Sequence, residues 1–152
     1  MSLYDQFGMD HDVEVGGVLI DYGRDGRIRV ARAGGSNDRF IKALDAFQSK
    51  YERQINFKML DDEVAERELS KIYAMTIITG WESGPDENPI QGIIPGPDGK
   101  DLKFNVKNAT KLLRDLPDLF SDIRTQSTKL DLFKKMKIDR DVGNSATSLT
   151  TG

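Results

Sequence analysis

VLIDYGRDGRIRVARAGGSNDRF, Val18 to Phe40, carries the decision about the fold. Val18, Ile20 and Tyr22 alternate with their neighbours, GRDG (Gly23 to Gly26) makes a turn, and Ile28 and Val30 resume the alternation between Arg27, Arg29 and Ala31. Period-two alternation around a Gly/Asp turn predicts a β-hairpin. A hairpin alone is marginal in water, so its apolar side must lie on the helices that follow or on another subunit. The segment AGGSN (Ala33 to Asn37) then breaks the pattern, and Ser36 or Asn37 suits a helix cap. Beyond it Phe40, Leu44, Phe47 and Tyr51 recur at spacings of four, three and four. That is one face of a helix.

Working outward, Asp61 or Asp62 caps a second helix with an acidic first turn and a stripe through Ala65, Leu69, Ile72 and Thr76. This helix is expected to end near Gly80, just before Trp81, the single tryptophan. A Gly/Pro-rich loop follows and holds four of the five prolines. Asn105 caps a third helix, and Pro117, suited to a first helical turn, starts a fourth after a corner at Leu116. The fold class is therefore α+β, an N-terminal β-hairpin packed on about four α-helices with flexible termini. The expected boundaries are an acidic flexible arm over 1–12, a single globular domain over 13–138 and a flexible tail over 139–152. Within the domain the hairpin takes 13–32, the helices about 37–52, 61–79, 105–115 and 117–135, and the loop 82–104. Leu44, Phe47, Leu69, Ile72, Leu112, Leu113, Leu119, Phe120 and Ile123 are the expected core, with Trp81 at least partly buried.

Of the 152 residues 38% are hydrophobic and 31% charged, which implies a modest core under a large solvated surface. There is no cysteine, so disulfides, thiolate metal sites and cysteine nucleophiles are excluded. No run approaches the roughly 20 apolar residues of a membrane span, and the first residues do not have the pattern of a secretory signal. The net charge of −3 speaks against a general nucleic-acid binder. It conceals an asymmetry: residues 1–22 carry five acids and no Lys or Arg, whereas Arg24, Arg27, Arg29 and Arg32 crowd the next ten residues against Asp25 alone.

The search for chemistry finds little. His11 is the only histidine, with no Ser or Cys partner near it in sequence, and reads as an ordinary exposed residue. DHDVE (Asp10 to Glu14) begins like a calcium loop but has Val15 where a Gly is needed and Asp21 where a Glu is needed. Asp61, Asp62 and Glu63 are explained by a helix start. Gly16-Gly17, Gly34-Gly35 and GPDGK (Gly96 to Lys100) fit neither phosphate-binding glycine motif. The expectation is a non-enzymatic interaction protein with no cofactor and no metal. Three features suit binding: the arginines Arg24, Arg27, Arg29 and Arg32, with Arg27 and Arg29 on the outward side of their strand; Trp81, as an interface anchor or, more simply, a core residue; and the stripe from Leu112 to Ile123, which plain core also explains.

Three stretches, GRIRVARAGGSNDRF (Gly26 to Phe40), LSKIYAMTIITGW (Leu69 to Trp81) and GPDGKDLKFNVKNATKLLRDLPDLFSDI (Gly96 to Ile123), together resemble the tail assembly chaperones of long-tailed bacteriophages. The resemblance spans roughly residues 18–133 and rests on order and spacing, since no single motif is diagnostic. It implies a protein that holds tape-measure or tail-tube subunits in the host cytoplasm until the tube assembles, with no catalytic residues to carry over. Its partners are then phage tail or other virion proteins, with a homo-oligomer compatible and neither membrane nor nucleic acid expected. The segment Ser83 to Pro95 is longer than that pattern, so the interfaces are expected to differ. The rival readings are a structural virion protein of the tail, connector or capsid, and a small regulatory or nucleic-acid-binding protein using the arginine hairpin.

Overall fold

The computed structural model describes residues 2–134. Its first residues, expected to be irregular, form two helical turns, α1 (Leu3–Phe7) and α2 (His11–Gly16). Ser2 and Asp5 cap α1 reciprocally, and the Asp10 carboxylate accepts from the Asp12 and Val13 N–H groups at the start of α2. The expected tail over 139–152 lies outside the described residues.

The hairpin is present as β1 (Val18–Asp21) and β2 (Arg27–Val30), antiparallel, with Val18 opposite Val30 and Asp21 opposite Arg27. Asn37 caps α3 (Asp38–Lys50), and a short α4 (Glu52–Asn56) follows Tyr51. Asp61 caps α5 (Asp62–Thr76) by accepting from the Glu63 N–H at 2.9 Å.

The helix expected over 61–79 stops at Thr76, and Ile78–Ser83 is a strand, β3, with Trp81 inside it rather than at the head of a loop. Thr76, Ile77, Ile78 and Thr79 are four β-branched residues in a row, stiff at χ1 and better suited to a pleated surface than to a helix. β3 pairs with β2 on the side away from β1, and β4 (Ile90–Gln91) pairs with β3, giving the order β1-β2-β3-β4. The hairpin is thus half of a four-stranded sheet. The expected loop over 82–104 is corrected too: it holds the end of β3, all of β4, and a second hairpin of β5 (Ile93–Pro95) with β6 (Asp101–Lys103) across the GPDG turn.

Asn105 caps α6 (Val106–Asp115) by accepting from the Asn108 N–H at 2.8 Å, and Pro117 opens α7 (Pro117–Gln126) at the corner foreseen at Leu116. The helix expected to run on to 135 breaks after Gln126, and α8 (Leu130–Phe133) is separate. Thr128 explains the break, since its hydroxyl donates back to the Thr125 carbonyl while its N–H tightens to the same oxygen.

The core lies between the inner sheet face and the helices. Ile28 and Val30 of β2, Ile78 and Trp81 of β3 and Ile94 of β5 meet Phe40, Tyr73, Leu113, Phe120 and Ile123 from the helices. Tyr73 sits at the centre, edge-to-face with Phe40 at 5.5 Å and with Phe120 at 5.3 Å between ring centroids. Of the residues expected in the core, Ile72, Leu113, Phe120 and Ile123 are buried, while Leu44, Phe47, Leu69, Leu112 and Leu119 are half-buried along its edge.

Candidate interaction surface

The strand register decides what the arginines do. Asp21, Arg27, Glu82 and Gln91 stand opposite one another across all four strands, a polar row on the outer face of the sheet. Arg27 was expected to face outward and be free. It is on the outer face, but only 8% of it is exposed. Its Nε donates to Glu82 Oε2 at 3.0 Å, one Nη to Asp86 Oδ1 at 3.0 Å and the other to the Ser83 carbonyl at 3.2 Å. Gln91 Nε2 occupies the second Glu82 oxygen at 3.1 Å. Glu82 of the neighbouring strand neutralises the arginine, and Asp86, from the segment between β3 and β4, adds a second, exposed carboxylate.

Arg32, beyond the other end of β2, pairs with Glu14 of α2. Only 1% of Glu14 is exposed, and the Arg32 N–H also donates to the Glu14 carbonyl at 2.9 Å. Burial by itself pushes the Glu14 carboxyl up, but hydrogen bonds from Arg32, Ser36 and His11 outweigh it and hold the group below the usual carboxylate range. Gly35 is required beside this clasp. It sits at φ 54°, and a Cβ there would run into the Glu14 carboxylate and the Arg32 guanidinium.

The clasp brings Ser36 to His11, a proximity invisible in the sequence. Ser36 Oγ lies 2.6 Å and Glu14 Oε1 3.1 Å from the same ring nitrogen, Nδ1. A Ser–His–acid relay needs the hydroxyl on one ring nitrogen and the acid on the other. Both contacts on Nδ1 make a structural bond network, with most of the His11 side chain in solvent.

Two of the four arginines keep an uncompensated charge. Arg24 is exposed in the turn, and no ion pair to it forms among the described residues. Arg29 donates to the neutral Gly17 carbonyl at 3.4 Å and borders a cleft of about 230 Å³ on the outer sheet face, beside Leu19, Thr79 and Gly80. Trp81 is not an exposed anchor: 2% of it is accessible, its Nε1 donates to the Leu102 carbonyl at 3.1 Å, and its ring meets Phe104 edge-on. Tyr22 closes the far corner of the hairpin by donating to Asp122 Oδ2 at 2.6 Å, and burial with that carboxylate raises its hydroxyl pKa well above the ordinary range.

What sequence reasoning missed is apolar and exposed. Ile55, Phe57 and Met59 follow one another at the turn from α4 to α5, with Phe57 67% and Met59 75% accessible. Leu3, Tyr4 and Phe7 of α1 are likewise exposed, Tyr4 to 88%. Isolated exposed apolar residues are ordinary, but clusters of large ones mark places where something binds. The broken alternation of INFKML (Ile55 to Leu60), apolar yet fitting neither helix stripe, was the available signal.

Among the described residues no group of three or more acidic or histidine side chains could hold a metal ion, and no helix is long and apolar enough to cross a membrane. Compared with known families, the chain matches the family model described as YdaY prophage protein over residues 35–144. No curated protein matches it. No solved structure matches it either.

Proposed function

The chain belongs to the YdaY prophage protein family, and from that premise we propose that it is a non-catalytic phage assembly protein, a tail assembly chaperone that binds tape-measure or tail-tube subunits in the host cytoplasm. The observation that carries the reading is the exposed pair Phe57 and Met59, inside the matched range. A tip of this kind suits a protein whose working state has another chain against it. Methionine adapts to varied apolar partners and phenylalanine supplies rigid contact area. The prophage family and the sequence resemblance to tail chaperones support the same reading. Against the nucleic-acid rival stands the pairing of Arg27 and Arg32, which leaves Arg24 and Arg29 as the uncompensated charges of the hairpin. Phosphate-backbone binding draws on several free cations.

Co-expression with tape-measure and tail-tube proteins tests the proposal. The wild type is expected to co-purify with one of them, and Phe57→Ser with Met59→Ser to abolish capture while the folded state stays intact by circular dichroism. Mass spectrometry of purified particles separates the roles: a chaperone is absent from the finished virion, whereas a structural protein is present at fixed stoichiometry.

A further inference from the structure

The four-stranded sheet ends on a strand whose outer edge is open. The strand order puts β1 and β4 at its margins, and β5 and β6 are the margins of the second sheet. Edge strands that stay unpaired are commonly blunted by proline or lysine, or kept very short. β4 has two residues and follows Pro89, β5 contains Pro95 and β6 ends in Lys103. β1, VLID, has neither residue type, and Asp21 is its only charge.

The register shows which backbone groups that edge presents. The Tyr22 N–H donates to the Gly26 carbonyl at 2.9 Å, and Ile20 and Val18 stand opposite Ile28 and Val30 in the same register. Hydrogen-bonded pairs alternate along an antiparallel ladder, so Val18 and Ile20 turn their N–H and C=O toward β2. Leu19 and Asp21 turn theirs away, and those four groups meet no partner among the described residues. The side chains at the same two positions are accessible on the outer face, Leu19 to 38%. Asp21 accepts from the Gly23 N–H at 2.8 Å, and Arg29, across from Leu19, donates to the Gly17 carbonyl at 3.4 Å. Neither joins an ion pair among the described residues.

We propose that β1 pairs antiparallel with β1 of a second copy about a two-fold axis at Ile20, joining two sheets into one of eight strands. Leu19 of each copy then stands opposite Asp21 of the other, and four backbone hydrogen bonds use every outward group. The neighbouring registers fail. Centring on Asp21 sets two carboxylates face to face, and like charges directly opposite destabilise. Centring on Leu19 sets Asp21 opposite Gly17, whose N–H already serves the Val13 carbonyl. The Ile20 register also puts Asp21 of one copy in the row of Leu19 and Arg29 of the other. Two strand spacings, roughly 10 Å, separate that acid from Arg29, a span that an arginine and an aspartate side chain bridge between them. An uncompensated cation and an unpaired acid of the same hairpin are thus matched twice over, which commits the edge to a second copy. A seam of two four-residue strands falls below the roughly 1,200 Å² of a stable standard interface, so the dimer is transient and forms as concentration rises. It involves neither Phe57 nor Met59 and stands independently of the chaperone reading.

The test is sedimentation velocity of the full chain over a rising concentration series, where a monomer–dimer equilibrium is expected. Leu19→Pro removes an outward N–H without touching the bonds to β2, and is expected to abolish the dimer with the melting midpoint nearly unchanged. Arg29→Asp is expected to weaken dimerisation about tenfold, and adding Asp21→Arg to restore it. Should Leu19→Pro fail to fold, crosslinking at the two exposed positions decides, since the chain has no cysteine of its own. Under mild oxidation an equal mixture of Leu19→Cys and Asp21→Cys chains is expected to form a disulfide-linked dimer. Either variant alone is expected to stay uncrosslinked, because like positions of the two copies lie too far apart. A chain monomeric throughout, association that a folded Leu19→Pro leaves unchanged, or crosslinking as strong in Leu19→Cys alone as in the mixture overturns the proposal. So does capture of a tail protein by a monomeric chain that Leu19→Pro removes, which would give the edge to a foreign strand.

Discussion

The two ends of β2 hold their arginines by different means. At one end Arg27 and Glu82 are both desolvated, with side chains 10% and 8% accessible; Arg27 also reaches the Ser83 carbonyl at the end of β3 and Asp86 in the segment beyond it, and Glu82 also accepts from Gln91 of β4. At the other end only the acid is buried: Glu14 is sealed, while Arg32 keeps about a fifth of its side chain in contact with solvent. The first clasp fastens a loop to its own sheet, and the second fastens the N-terminal segment to the break between β2 and α3. The same residue type thus joins different parts of the chain, and the member of each pair that is cut off from water sets the cost of losing the other.

The largest expected effects come from removing either arginine. Arg27→Ala leaves Glu82 buried without its cation and Arg32→Ala leaves Glu14 so, each expected to destabilise by about 3–5 kcal/mol in urea unfolding. Unchanged midpoints would mean that the loop and the N-terminal segment are held by something else. The reverse deletion separates the two ends. Glu14→Gln leaves Arg32 able to reach water, so it is expected to cost less, about 1–3 kcal/mol. A loss equal to that of Arg32→Ala would erase the asymmetry.

Acid sharpens the comparison further. The Glu14 carboxyl is held below its ordinary value in the folded state, since hydrogen bonds from Arg32, Ser36 and His11 outweigh burial. A depressed folded pKa contributes stability that is fully present above the unfolded value, 4.5, and is lost as pH falls through the folded one. The stability difference between wild type and Glu14→Gln is therefore expected to be constant above that pH and to shrink below it. The smallest effects belong to the two uncompensated arginines. Arg24→Ala and Arg29→Ala are expected to change stability by no more than about 0.5 kcal/mol, leaving any loss of partner capture attributable to binding.

Much of this was legible, and for identifiable reasons. Asn105 caps its helix as its position foretold, Asn37 and Asp61 are the caps from the pairs Ser36/Asn37 and Asp61/Asp62, and Pro117 turns the corner at Leu116, because capping and proline geometry are local. The stripe Leu113, Phe120 and Ile123 is core because a strong helical period admits few other uses. What escaped is non-local. IITGW continues the apolar stripe of α5 well enough to pass for helix, and only the β-branched run hinted otherwise. With β3 hidden, Glu82 looked like loop, so nothing set a carboxylate opposite Arg27 across 55 residues of chain. The clasp is of the same kind, since Ser36 and His11 are 25 residues apart.

The order of strands also sets a timetable for synthesis. β2 and β3 are neighbours in the sheet, yet α3, α4 and α5 all lie between them in the chain. At translation rates of about 5–20 residues per second, the roughly 50 residues from Val30 to Ile78 take on the order of 3–10 s to emerge. Throughout that interval β2, whose Ile28 and Val30 are enclosed in the finished protein, has no β3 to pair with along one edge. A chain proposed to shield others during assembly spends its first seconds on the ribosome with its own central strand unshielded.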